Sequence, residues 1–184
     1  MTRADRNTGT PAWTLDLLLV AFLIAFDVVA RLLPHIPGLW PFAASALFAG
    51  RMVRTPALAF IVPLVALALS NTALPGDDWR IIAVVYVAIA IPALLGVLTK
   101  NARAIFAVPM ASIGGSLIFF VLTNFAVWAF GTLYSFDWQG LVQCYVAALP
   151  FLDKTVIGDL FWNAVLFGGA ALVAYAPRLS GRSV

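Results

Sequence analysis

Six apolar stretches separated by short polar or proline-rich breaks leave this chain little choice of solvent. A helix crossing bilayer hydrocarbon takes about 20 residues, and 184 residues divide into about six such helices with no remainder for a water-soluble domain. The rest of the composition agrees: 63% of the residues are hydrophobic, 10% are charged, and Glu is absent. Such a chain reads as an integral, all-α membrane protein. The formal charge of +3 reports topology here and does not point to nucleic acid. The lone cysteine, Cys144, excludes an internal disulfide or a cysteine-rich metal cluster.

The expected spans are 13–33, 42–53, 56–74, 81–98, 105–130 and 155–176. The first apolar segment is too long for a signal-peptide core and lacks a small-residue cleavage site, so it reads as span one. Asp27 and Arg31 near its end are spaced to neutralise each other. Residues 34 to 41 hold three prolines and a glycine, which predicts a stiff loop. Pro63 and Pro92 predict kinks in spans three and four. The polar stretch 131–153 predicts a short outer helix over Trp138 to Phe151, lying on or dipping into the membrane ahead of span six.

Six spans place both termini on one side, with Arg3, Arg6, Arg51, Arg54, Lys100, Arg103, Arg178 and Arg182; Arg31, Arg80 and Lys154 fall on the other. The positive-inside rule then makes both termini cytoplasmic, in a bacterial inner membrane.

That orientation gives the polar residues a meaning. Ser112, Ser116, Phe120 and Thr123 recur at helical steps, so one face of span five looks into protein. His35, Trp40, Asn71, Tyr86, Asn124, Trp128, Cys144, Tyr145 and Asp159 gather at or near the outer ends of spans or in outer loops, and Asn163 shares a helix face with Asp159. Polar groups inside a membrane are costly unless they meet each other, water or a ligand. These ten residues are therefore the expected lining of an outward-facing cavity suited to a small organic molecule with rings and hydrogen-bonding groups. A conventional membrane hydrolase is not expected, since one His and no His-Glu-x-x-His or Gly-x-Ser-x-Gly pattern cannot assemble its machinery. A structural or assembly subunit, or an enzyme using Cys144 on a bound ligand, are the alternative readings.

The pattern resembles the S components of energy-coupling factor transporters, small membrane proteins that capture vitamins or trace metals. The resemblance rests on six spans, cytoplasmic termini, the alanine step Ala21 and Ala25 in the first helix, and the segment Pro41-Phe-Ala-Ala-Ser-Ala-Leu-Phe-Ala-Gly50. It implies that the Ala21–Ala25 face meets a transmembrane coupling subunit with its ATPases, and that loops 34–41, 75–80 and 131–153 close over a vitamin-like substrate. The thiamine and riboflavin loop motifs of that family are not matched. Some such proteins handle cobalamin without a dedicated energising module, which makes cobalamin the leading expectation and His35 or Cys144 the cobalt ligand. No cofactor of the protein's own is expected. The chain also looks like a group of bacterial membrane proteins with Phe-Phe-x-x-Thr-Asn-Phe-x-x-Trp, here Phe119 to Trp128, a later Cys-Tyr at Cys144 and Tyr145, and Gly-Asp at Gly158 and Asp159.

Overall fold

A computed structural model describes residues 11–33, 39–74 and 78–180. His35, Asp77 and the terminal arginines Arg3, Arg6 and Arg182 lie outside the described residues. Within them the chain forms six α-helices: α1 Ala12–Leu32, α2 Phe42–Met52, α3 Pro56–Asn71, α4 Trp79–Leu98, α5 Ala104–Phe130 and α6 Trp138–Ser180. By length and composition α4, α5 and residues Trp138–Tyr175 of α6 can each cross a membrane, and α3 is apolar but shorter.

Local chemistry explains most helix ends. Leu33 turns extended just before Pro34, as the residue before a proline tends to do. Pro56 occupies the first turn of α3, where its missing N–H costs nothing. The Asp78 carboxylate accepts from the Arg80 backbone N–H at 2.8 Å and caps α4. Asp137 does the same for α6, accepting from the Gly140 N–H at 2.6 Å.

One expectation is corrected. No separate short helix is set off ahead of residues 155–176: α6 is continuous for 43 residues, through Pro150 and past Asp153 and Lys154. A proline inside a helix removes one hydrogen bond, and the flanking Ala147, Ala148, Leu149, Phe151 and Leu152 contain no second breaker. At 1.5 Å per residue α6 is about 65 Å long, roughly twice a hydrocarbon core.

α2 is the axle of the bundle and touches each of the other five helices. Every residue from Ala44 to Gly50 is buried. Against it pack Val20 and Leu23 of α1, Ala59 and Val62 of α3 and Ala93 of α4, with Leu166 and Phe167 of α6 alongside. Small residues set the spacing between α2 and α4. A Cβ on Gly50 would overlap the Ala93 carbonyl and lie 2.9 Å from the Gly96 Cα, and a Cβ on Gly96 would overlap the Leu47 carbonyl. The two backbones are in direct contact, as small-residue crossings permit.

α2 and α4 run parallel, so their carbonyl ends emerge together. Each is capped by a cation from the other: Arg51 donates to the carbonyls of Thr99 and Ala102, and Lys100 donates to that of Val53 at 2.6 Å. Cations at helix C-termini oppose the negative end of the dipole. We call this the basic end of the bundle. The other, with Trp40, Trp79, Trp128 and Trp138, is the tryptophan end.

The Asp27–Arg31 pair is also corrected. Asp27 is fully buried and accepts from the Ser45 hydroxyl of α2 at 2.7 Å, while Arg31 donates to Ser70 of α3 at 2.9 Å and lies over the Phe42 ring. Residues one turn apart can meet, but here the carboxylate faces α2 and the guanidinium faces α3. Among the described residues the ion pair that forms is Arg80 with Asp78 at 2.9 Å.

Candidate functional site

The site grows out of a mismatch between α5 and α6. At the tryptophan end the Tyr145 hydroxyl donates to the Val121 carbonyl at 2.7 Å, its ring packs edge-on to Phe120, and the Cys144 thiol donates to the Asn124 carbonyl at 3.4 Å. Deeper in, Ser116 lies 2.6 Å from the Asp159 carboxylate. From Tyr145 to Asp159 α6 advances about 21 Å, whereas Val121 to Ser116 on α5 covers about 7.5 Å. Close-packed antiparallel helices advance equally, so these two do not stay flush across the interval.

The space left is a cavity of about 320 Å³ walled by Phe119, Phe120 and Thr123 of α5 and Phe151, Leu152 and Thr155 of α6, with Asn124 and Ser116 along it and Trp40 over it. Two smaller cavities of about 80 Å³ adjoin. One is bounded by Phe42, Ala43, Ile89 and Asp159, the other by Arg31, Leu67 and Val85. Trp40 and Phe119 border all three. Together they form one mainly apolar chamber at the tryptophan end, with Arg31 at one extreme, Asp159 in the floor and Asn124 at the other.

Below the floor stands a buried polar ladder between α5 and α6. Asn163 donates to the Ser112 hydroxyl at 3.1 Å and to the Asp159 carbonyl at 2.8 Å, while its amide oxygen, also buried, has no partner. Asn163 also borders a groove of about 470 Å³ toward the basic end, lined by Ile105, Val108 and Pro109 of α5 and Leu160 and Phe167 of α6. The ladder therefore separates the chamber from that groove.

The residues singled out from the sequence have different fates. Trp40, Asn124 and Asp159 line the chamber. Asn163 lies one turn below Asp159. Cys144 is 2% exposed and borders none of these cavities, so burial in the α5–α6 contact accounts for it. Tyr145 also ties the two helices together. Trp128 donates to the Ser135 carbonyl at 3.1 Å and stacks on Phe136, which makes it a brace for the 131–137 loop. Tyr86 packs with the cluster around Phe42 and Ile89, and Asn71 ends α3 away from the cavities. Ala21 and Ala25 are exposed on α1. Thr155 lines the chamber as well, and so do Phe42, Ile89, Phe119 and Phe151, whose place the sequence does not signal. Apolar residues in an apolar chain carry no mark of their own, although Phe119 and Phe120 stand one turn before Thr123 and Asn124.

The loops at this end are pinned electrostatically. Asp78 is held down at about 2, chiefly by the Arg80 side chain and then by the Arg80 backbone N–H. The Asp137 carboxyl is held below the usual carboxylate range, first by the Gly140 N–H and then by the Ser135 hydroxyl. Arg80 in turn lies 5.0 Å above the Phe130 ring, fixing the start of α4 to the end of α5.

Helices that can cross a bilayer, apolar side chains on the outside of the bundle, and polar groups gathered inside it are features of a helical membrane protein. Residues 12–180 match the model of a family of unknown function, DUF6580, and the chain belongs to that family. No curated protein and no solved structure matches it.

Proposed function

We propose that this protein is a six-span inner-membrane protein that binds a small nutrient from the outer side, in the manner of a substrate-binding transport subunit. The observation that carries the reading is the mainly apolar chamber at the tryptophan end, where the aromatic rings of Trp40 and Phe119 border every compartment. Its polar groups are few and spread along the wall: Arg31, Ser116, Thr123, Asn124, Thr155 and Asp159. A mainly apolar site with a few placed polar groups is the usual form of a small-molecule site. By the positive-inside rule the basic end, with Arg51, Arg54, Lys100 and Arg103, is cytoplasmic and the chamber faces out.

The volume favours a vitamin-like molecule of one or two rings over a corrinoid, whose macrocycle would need the chamber to open. Cys144 borders none of its compartments, which argues against that thiol as a cobalt ligand. The exposed Ala21–Ala25 face of α1 is the proposed seat of a coupling subunit.

The test is native mass spectrometry of protein purified from cells grown on a vitamin mixture, with Trp40→Ala and Phe119→Ala as controls. A small molecule retained by the wild type and lost from both variants supports the site. If the wild type retains nothing from the mixture, or if both variants retain the wild-type ligand, the reading fails.

A further inference from the structure

The Ser116 hydroxyl lies within hydrogen-bond distance of two acceptors, the Ser112 carbonyl at 2.9 Å and the Asp159 carboxyl at 2.6 Å. A serine carries one hydrogen. With Asp159 as a carboxylate, Ser116 serves only one of the two. If instead Asp159 holds a proton, every bond in the row is made: the Asp159 O–H donates to Ser116, and Ser116 donates to the Ser112 carbonyl. Asn163 supplies the remaining donor, to the Ser112 hydroxyl.

The surroundings offer no counter-charge. Asp159 is 4% exposed. α5, which provides the facing serines, contains no ionisable side chain. The charge on α2 is Arg51, engaged with α4 carbonyls at the basic end. On α6 the nearest charges are Asp153 and Lys154, both exposed and more than one turn away. On α1 and α4 the ionisable groups toward this end are Asp27, on Ser45, Arg31, on Ser70, Tyr86, and Arg80, paired with Asp78 at the start of α4. A carboxylate kept from water without a cation is costly, and no group of three His, Cys or acidic side chains among the described residues could supply a metal site.

We propose that Asp159 is a proton-binding site, holding a proton between Asp159 and Ser116 in the floor of the chamber. The proton exchanges with the outer solvent through the small cavity that Asp159 borders, and leaves by the same route as the carboxylate forms. The ionised state breaks one bond of the ladder, either Ser116 to Ser112 or Ser116 to Asp159. Proton occupancy thus sets whether Ser116 holds both its bond within α5 and its bond across to α6, at the level that divides the chamber from the groove below. This inference rests on the α5–α6 contact alone and stands whatever the chamber binds.

Infrared spectra of the full chain in lipid nanodiscs at neutral pH test it. The protonated-carboxyl C=O band of the wild type is expected to lose one carboxyl's intensity in Asp159→Asn, whose amide N–H reproduces the bond to Ser116. Ser116→Ala is expected to keep that intensity but shift the band, because the acid loses its partner. Should Asp159→Asn fail to fold, the Ser116→Ala shift decides alone. An acid region unchanged in both variants, or unchanged in Ser116→Ala where only that protein folds, would overturn the proposal. So would intensity lost by Asp159→Asn from the carboxylate bands instead.

Discussion

The two helix pairs that frame this protein are built on opposite terms. α2 and α4 meet through Gly50 and Gly96 with backbones in contact and exchange cationic caps at one end. α5 and α6 meet through hydrogen-bonding side chains, fall out of step, and leave a chamber between them. The first pair leaves no room between its backbones where Gly50 meets Gly96. The second keeps polar groups inside an apolar chain at the cost of looser packing, which is the pattern expected where a protein binds something.

Glycine substitutions should break this contrast most sharply. Gly96→Ala places a methyl against the Leu47 carbonyl, where backbone cannot yield, and should destabilise by about 3 kcal/mol or more. Gly115→Ala, on the α4–α5 side, meets Pro92 at an ordinary 3.4 Å and should be neutral or stabilise by up to about 1 kcal/mol through helix propensity. Melting temperatures in one detergent compare the two directly, and equal losses would show that the tightness at Gly96 is not special.

Phe119→Ala should merge the compartments of the chamber. Its ring is half-buried, so the cost in stability should be about 2 kcal/mol, below the 3–5 typical of a fully buried phenylalanine. Denaturant midpoints would measure it, and an unchanged midpoint would place Phe119 outside any packed wall. Ser45→Ala removes the hydroxyl that serves the buried Asp27, whose second oxygen already lacks a partner. A loss of about 1–3 kcal/mol is expected, read from the same denaturation curves.

Leucines at Ala21 and Ala25 should change stability by less than about 0.5 kcal/mol, because both positions face outward. Their effect is expected in co-purification with the coupling subunit proposed above, and undiminished association would exclude that face. The smallest effect belongs to Asp78. Its folded value, about 2, lies below the ordinary 3.8, so its contribution is full above about pH 4 and fades as the pH falls toward 2. Asp78→Asn should therefore leave behaviour below pH 2 unchanged and lower the melting point slightly at neutral pH.

Much of the bundle was legible because bilayer chemistry writes it plainly. α1 to α5 fall on the first five apolar stretches, and Pro34, Pro56 and Asp78 mark ends that local sterics and capping enforce. The long α6 was not legible, since Pro150 beside a polar run reads as a boundary and only the surrounding helix formers carry the backbone through. Of the site, Trp40, Asn124 and Asp159 were visible as polar or amphipathic residues in an apolar context. Phe42, Ile89 and Phe119 were not, because their type is the commonest in the chain.

The sequence by itself determined that this chain is helical, that it carries helices fit to cross a membrane, and that its polar groups lie inside those helices: hydrophobicity and hydrogen-bond capacity are properties of residues. The tertiary structure alone decided which polar groups meet. Asp27 and Arg31 are one turn apart and go to different helices, whereas Ser116 and Asp159 are 43 residues apart and touch. Pairing depends on how each helix is rotated against its neighbours. That rotation is set by steric contacts such as Gly50 on Gly96, which no single stretch of sequence contains.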